Sequence, residues 1–150
     1  MEAFFEELTA DHDEVKEILD KMENTSDGAV KTREKLLVQL KQALVPHMKA
    51  EEKAFYPELT KTKEVKKEAL EAIEEHGLAE TVLRQLENVP AGDDVWGAKL
   101  SVLKELLEHH IEEEEDELFE AAEDVLENEE LDQRREKFEK EKEKEKKKLK

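Results

Sequence analysis

Two segments of this chain repeat one polar pattern, and the pattern limits the possible folds more than any other feature. Glu51 follows His47 by four residues, and Glu114 follows His110 by four residues. A spacing of four places two side chains on the same face of an α-helix, one turn apart. The repeat therefore predicts two helices that each direct one imidazole and one carboxylate toward the same side.

Two further histidines lie upstream of these pairs at nearly equal distances. His12 precedes His47 by 35 residues, and His76 precedes His110 by 34 residues. Glu80 follows His76 at the same spacing of four. The spacing indicates two consecutive helix pairs, each of which contributes one upstream histidine and one His-x-x-x-Glu motif.

Four segments of the chain carry apolar residues at spacings of three and four, which is typical of helices with one buried face. The predicted helices cover residues 3–22, 30–59, 63–86 and 95–127. A histidine interrupts the apolar series near the middle of each helix. Four helices joined by short loops predict an all-α, up-down-up-down antiparallel four-helix bundle.

The amphipathic pattern fades after residue 127, and a charged segment follows. We therefore divide the chain into a bundle at residues 1–128 and a Glu/Lys-rich C-terminal tail at residues 129–150. Alternating Glu and Lys places like charges four residues apart, which offsets the favourable pairs three residues apart. We expect the tail to be a partly helical, frayed or disordered extension without a catalytic role.

The inward positions of the four predicted helices collect seven polar side chains at one level of the bundle. These candidate metal ligands are His12, His47, Glu51, His76, Glu80, His110 and Glu114. Burying unpaired carboxylates and imidazoles costs several kcal/mol for each ion, whereas a domain is stable by only about 5–15 kcal/mol. Bound cations would neutralise this cluster. A polar layer held by buried hydrogen bonds and water is the alternative.

The chemistry of these side chains predicts which metal they bind. The chain has no cysteine, and imidazole with carboxylate suits iron first, then manganese or zinc. The several negative charges of the cluster suit two metal ions better than one. We assign bridging positions to Glu51 and Glu114, whose two oxygens can each bind a different ion, and terminal positions to the four histidines.

Glu80, His109 and Gly77 leave alternatives open. Glu80 either coordinates a metal or orients His76 from outside the ligand set. Adjacent residues of a helix point about 100° apart, so only one of His109 and His110 can face the centre. The leucine series selects His110 and leaves His109 on the surface or at an interface. Gly77 either makes room beside the site or is a neutral exposed glycine.

Five aromatic residues are candidates for the walls of a dry pocket around an open coordination position: Phe5, Phe55, Tyr56, Trp96 and Phe119. Ordinary core packing is the alternative role, and we expect it for most of them. Tyr56 is also a candidate donor of a proton or an electron.

Charge and composition narrow the classes of function. The net charge of −18 is uneven, because residues 134–150 hold ten Lys or Arg and five Glu. An acidic body repels phosphate backbones, which argues against nucleic acid as a partner. No basic segment precedes an apolar run at the N-terminus, and no apolar run reaches the roughly 18 residues of a membrane span. We expect a soluble cytoplasmic protein without a membrane partner.

The layout of these motifs resembles the hemerythrin-like, or HHE cation-binding, family. The family pattern H…HxxxE…H…HxxxE is met by His12, His47 with Glu51, His76, and His110 with Glu114. The segments Asp11-His12, 51–57 and 114–119 also resemble the flanking signatures of the family. The resemblance covers about residues 3–127. It implies a four-helix bundle that holds two iron ions in a non-haem, often oxo- or hydroxo-bridged, centre.

One departure from the family pattern bears on function. Oxygen-carrying hemerythrins have HxxxH in the third helix and HxxxxD in the fourth, whereas this chain has Glu80 and Glu114 at the corresponding places. More carboxylate stabilises the ferric state, which argues against reversible oxygen carriage. The resemblance therefore implies a di-iron protein that reacts with O2, peroxide or nitric oxide. A sensor of oxygen or iron, or a metal buffer, without turnover is the alternative.

Overall fold

The computed structural model describes residues 2–149, and this part of the chain is helical apart from short connections. It forms α1 (Ala3–Glu23), α2 (Val30–Ala54), α3 (Tyr56–Thr60), α4 (Lys66–Glu87), α5 (Asp94–Glu113), a π-helical turn (Glu114–Leu118), α6 (Phe119–Val125) and α7 (Asn128–Lys148). Residues 2–149 contain no β-strand, so the all-α prediction is confirmed. No helix in this range has both the length and the apolar character that a bilayer span requires.

Two of the predicted helices are interrupted. The second ends at Ala54 and resumes as α3 at Tyr56, because Pro57 lacks the N–H that a continuous helix would bond to the carbonyl one turn earlier. The fourth changes to a π-helical turn directly after Glu113. Such turns hold one extra residue and often lie at functional sites. The spacing of apolar residues did not predict the π turn at Glu114–Leu118.

Two apolar clusters fill the core, and their members show which helix ends lie together. The first apolar cluster joins the starts of α1 and α4 to the ends of α2 and the α5–α6 segment, as in Phe5, Ala69, Phe55 and Phe119. The second apolar cluster joins the opposite ends of these helices, as in Leu19, Leu83, Leu40 and Leu103. The helix middles, which carry the predicted polar layer, lie between the two clusters.

The C-terminal tail is a packed helix, so the expectation of fraying or disorder is wrong. A capping box between Glu127 and Glu130 begins α7, which packs mainly along α2. Leu131 and Phe138 are buried and belong to the first apolar cluster. They are seven residues apart, which places them on one face two turns apart. Their burial supplies the stabilisation that alternating charge cannot.

Ion pairs from α7 to α2 and α3 add to this packing. Lys53 of α2 lies 3.0 Å from Glu145 of α7. Arg134 of α7 lies 3.5 Å from Glu58 of α3. Pairs of this kind at a partly exposed surface contribute little individually. The two apolar side chains therefore hold α7 in place, and the ion pairs add little to its stability.

Replacing Phe138 with Ala is expected to lower the free energy of unfolding by about 3–5 kcal/mol, the usual cost of emptying a buried phenylalanine site. Urea denaturation followed by circular dichroism measures this change. Lys137→Ala, an exposed neighbour in the same helix, serves as the control and is expected to change stability by less than about 0.5 kcal/mol. Equal stability of the two variants would show that α7 does not pack as described.

Candidate metal centre

Four histidines and two glutamates from four helical segments converge at one level of the core. They are His12 of α1, His47 and Glu51 of α2, His76 of α4, His110 of α5 and Glu114 at the start of the π turn. Each of the six is at most 5% exposed to solvent. The structure thus brings together six of the seven side chains that the sequence nominates as ligands.

The nitrogen and oxygen atoms of these residues form two groups that share one carboxylate. The first group consists of His12, His47, Glu51 and Glu114, and the second of Glu51, His76 and His110, with the ligand atoms of each group within 4.8 Å of one another. Glu51 Oε1 lies 3.0 Å from His47 Nε2 and 3.5 Å from His76 Nε2. Glu51 therefore has the position of a carboxylate that bridges two ions.

Glu114 also faces histidines of both groups. Its Oε1 lies 3.2 Å from His12 Nε2, and its Oε2 lies 3.6 Å from His110 Nε2. The two oxygens of this carboxylate thus point toward different groups. This geometry supports the bridging positions predicted for Glu51 and Glu114.

Each of the four histidines is held from outside by a carboxylate of a neighbouring helix. The Nδ1 atoms pair as His12 with Glu115 (2.7 Å), His47 with Asp11 (2.8 Å), His76 with Glu52 (2.9 Å) and His110 with Glu75 (2.7 Å). These bonds run from α1 to α2, from α2 to α4, from α4 to α5, and from the π turn back to α1. With Nδ1–H donating outward, Nε2 of each ring is directed at the centre.

Five of the inward atoms of the centre have no hydrogen-bond partner. His12 Nε2, His47 Nε2, both oxygens of Glu51 and Oε1 of Glu114 are buried and unpaired. The Nε2 of a neutral imidazole is an acceptor, and here it faces carboxylate oxygens, which also accept. A cation between these atoms, either a second proton or a metal ion, is needed to make the arrangement stable. The imidazole and carboxylate donors fit iron, manganese or zinc.

The close packing of histidines and carboxylates in the centre shifts their pKa values. Burial alone would lower the pKa of His47, but the charge of Glu51 and the hydrogen bond to Asp11 raise it to about 10. Burial would also lower the pKa of His76, but the adjacent carboxylate of Glu51 and the hydrogen bond to Glu52 raise it to about 9. Burial would raise the pKa of Glu51, but the positive His47 beside it holds that pKa well below the ordinary value.

The family comparison agrees with this geometry. The family model described as the hemerythrin HHE cation binding domain matches residues 3–122. The chain belongs to this family. The resemblance seen in the sequence motifs is thereby confirmed, and the matched range of the HHE domain ends before α7 begins. No curated protein and no solved structure gives a significant match.

Glu80 is the candidate ligand that the structure does not bring to the centre of the HHE domain. Its carboxylate pairs with Lys49 Nζ at 2.9 Å. The alternative role, orienting His76, belongs to Glu52 instead. The reason is helix direction: residues after Glu51 and Glu114 lie in the first apolar cluster, whereas residues after Glu80 lie in the second. A step of four from His76 therefore leads away from the two carboxylates.

The hydroxyl of Tyr56 occupies the space beside the second group. It donates a hydrogen bond to Glu114 Oε2 at 2.5 Å and lies 3.3 Å from His76 Nε2. Burial and the adjacent charge of Glu114 raise the pKa of this phenol well above its ordinary value, so it keeps its proton. A protonated hydroxyl at this position supports Tyr56 as a candidate proton donor.

Two aromatic rings lie against the first group. Phe119 is one of the predicted wall residues, and Phe138 is not. Phe119 lies parallel to the ring of His12, with centroids 6.3 Å apart, and Phe138 meets His47 edge-on at 5.6 Å. Trp96 belongs to the second apolar cluster at the far helix ends, where Arg33 lies over its ring. Trp96 is therefore core and does not wall the centre. Phe138, the lone aromatic of the charged tail, is the member that the sequence interpretation missed.

The tail helix reaches the centre at a second point. Lys142 Nζ lies 2.7 Å from Asp11 Oδ1 and 2.9 Å from Asp11 Oδ2, and Asp11 in turn holds His47. Burial alone would raise the pKa of Asp11, but His47 and Lys142 together keep it below its ordinary value. Helix α7 thus supports one histidine of the centre through packing and through charge.

His109 and Gly77 lie outside the centre. His109 is exposed, as predicted, and its Nε2 lies 3.0 Å from Glu113 Oε1. A Cβ atom at Gly77 would meet nothing within 4 Å. The hypothesis that Gly77 makes room for the centre is therefore wrong, and the neutral alternative accounts for this residue.

Loading the metal-free protein with Zn²⁺ at pH 7.5 is expected to release at least two protons per chain. The pKa values of His47 and His76, about 10 and about 9, keep both rings doubly protonated at this pH, and a metal binds only the neutral imidazole. Protons compete more strongly as pH falls, so affinity should weaken from pH 8 to pH 6. A dye-based proton count in dilute buffer measures the release. Binding without proton release would contradict the protonation described.

Proposed function

We propose that this chain is a non-haem di-iron protein that reduces O2, peroxide or nitric oxide, built on an up-down-up-down antiparallel bundle of its four long helical segments. The observation that carries the proposal is the pair of ligand groups that share Glu51. Two ferrous ions in such a site would supply electrons to a bound diatomic molecule or peroxide. Manganese or zinc is the alternative metal content.

The two groups are unequal, which favours chemistry at one of them. The first group offers two imidazoles and two carboxylates, whereas the second offers His76, His110 and Glu51. The Glu114 oxygen that faces the second group, Oε2, already accepts the hydrogen bond of Tyr56. An ion held by fewer protein ligands keeps more positions for an exogenous molecule. The hydroxyl of Tyr56 lies beside this second group. We assign the reactive position to the second group and the delivery of a proton to Tyr56.

The size of the cavities at the ligands supports a small substrate. The cavity beside His110 and Glu114 has a volume of about 60 Å³, and the one among the four histidines has about 10 Å³. The larger of the two has room for a diatomic molecule or peroxide, whereas neither has room for a larger organic substrate. The carboxylates of Glu51 and Glu114 favour the ferric state, which supports consumption of the ligand over its reversible carriage.

A binding module that senses oxygen or iron, or stores metal, is the second candidate function. The observation in its favour is the enclosure of the centre, since all six ligands are at most 5% exposed. A deeply buried centre with narrow access suits slow exchange of ions as well as chemistry. The two candidate functions differ in turnover: the first consumes its substrate in repeated cycles, and the second does not.

A matched pair of substitutions tests the ligand set. Glu51→Gln is expected to lower the metal content from two ions per chain to one or none, because it removes the carboxylate common to both groups. Glu80→Gln makes the same chemical change one turn beyond His76, and it is expected to leave two ions bound because Glu80 pairs with Lys49. Elemental analysis after iron loading measures both. Loss of metal in Glu80→Gln, or its retention in Glu51→Gln, would reject this ligand set.

Reaction of the iron-loaded protein with small oxidants tests turnover. The anaerobic ferrous protein is expected to consume peroxide or nitric oxide over many cycles when a reductant is present, and to develop the absorption of a bridged ferric pair. Tyr56→Phe is expected to lower the rate of turnover by about 10²-fold, the usual contribution of a positioned proton donor, without changing metal content. A single stoichiometric oxidation, or a reversible adduct, would favour the binding module.

A further inference from the structure

The outward face of α4 carries two exposed leucines in one shallow groove. Leu70 is 46% exposed and Leu78 is 58% exposed, and both line the groove along this helix. Exposed apolar residues that occur singly are ordinary, whereas several together with a polar rim are typical of a surface that contacts another protein. This face of α4 is therefore a candidate interaction surface.

Charges of opposite sign occupy the two halves of this face. The groove lining has lysines before Leu70 and glutamates after it: Lys63, Lys66, Lys67, Glu71, Glu74 and Glu75. Lys67 Nζ lies 4.0 Å from Glu71 Oε1, and these side chains are 85% and 59% exposed. Their charges are therefore accessible to a partner. A complementary partner presents acidic groups to the lysines and basic groups to the glutamates.

A second copy of α4 meets this requirement when it lies antiparallel to the first. A two-fold axis that passes between residues 70 and 71 sets each residue at the level of the one that is equally far along the helix on the other side. Lys67 of one copy then lies at the level of Glu74 of the other, and this contact occurs twice. Both side chains point toward the second copy, because seven residues make almost two full turns of an α-helix. The two copies of Leu70 meet beside the axis.

The charges favour this register over one that pairs Leu70 with Leu78. Such a pairing would move the axis to Glu74, which would then face its own copy. Lys67 would lie at the level of Thr81 and would lose its acidic partner. Like charges in contact disfavour an interface, and opposite charges fix its register.

We propose that this protein forms a two-fold symmetric dimer through the outward face of α4, in which Lys67 of each copy pairs with Glu74 of the other. The contact of one helix with its copy is small, so the dimer is weak and depends on protein concentration. None of the six buried residues of the metal centre lines this face. The dimer is therefore independent of the proposed function.

An exchange of charges between the two positions tests the dimer and its register, with sedimentation velocity as the measure of the dissociation constant. Lys67→Glu and Glu74→Lys are each expected to raise this constant by at least about tenfold, because each brings like charges together at both contacts. The double variant Lys67→Glu/Glu74→Lys is expected to restore the wild-type value. An equimolar mixture of the two single variants is expected to form a mixed dimer. Lys35→Glu, which makes the same change at an exposed position of α2, is the matched control and should dimerise as the wild type does.

The apolar contact beside the axis has its own test. Leu70→Ser is expected to weaken the dimer by about tenfold, whereas Val38→Ser should leave it unchanged, since Val38 is 56% exposed on α2. A wild-type chain that stays monomeric up to about 0.5 mM would overturn the proposal. A dimer that neither Lys67→Glu nor Glu74→Lys weakens would also overturn it. Weakening in both single variants without recovery in the double variant would reject the proposed pairing.

Discussion

Four hydrogen bonds between histidines and outer carboxylates are the interaction on which the rest of the structure depends. They form a closed ring around the bundle, in which each helix gives a carboxylate to the histidine of the next helix. Because each bond fixes Nδ1, it also turns Nε2 inward. The ring therefore does two things at once: it ties the four helices together at their middles, and it exposes the atoms that bind cations. Removing an outer carboxylate would loosen a helix contact and a ligand together.

The outer carboxylates were not predicted from the sequence, although a local pattern marks their positions. Asp11, Glu52, Glu75 and Glu115 each lie directly beside a residue of the centre. A helix that places one residue inward places its neighbour about 100° away, toward the adjacent helix. The helices and the convergence of the histidines follow from spacing alone, and both could be predicted. The position of Glu80 could not be predicted from spacing. Glu80 follows His76 by four residues, as the two bridging glutamates follow their histidines, but α4 runs in the opposite direction and places Glu80 away from those carboxylates. Helix direction is a property of the whole fold.

The tail shows a second limit of sequence patterns. Alternating Lys and Glu residues dominate residues 134–150, and average composition hides the two apolar positions that determine the structure. Leu131 and Phe138 bury one face of α7, and Phe138 reaches the ring of His47. A helix beyond the range of the family match thus contributes to the centre of an HHE domain. Two well-placed side chains outweigh a charged background when a complementary surface is available, and that surface lies on α2, far away in sequence.

The π turn at Glu114–Leu118 carries a consequence for how this chain tolerates changes in length. It accommodates one residue more than an α-helical turn of the same rise, and it lies between the last ligand and Phe119, which packs on His12. Deleting one residue from the turn would restore regular α-helical winding and leave the helix after it in nearly its present orientation, so Phe119 would stay beside His12. Deleting one residue from the regular part of α5 would instead rotate everything downstream by about 100°. The π turn is therefore the position in this helix at which a change of one residue in length least disturbs the alignment of the ligands with the aromatic lining.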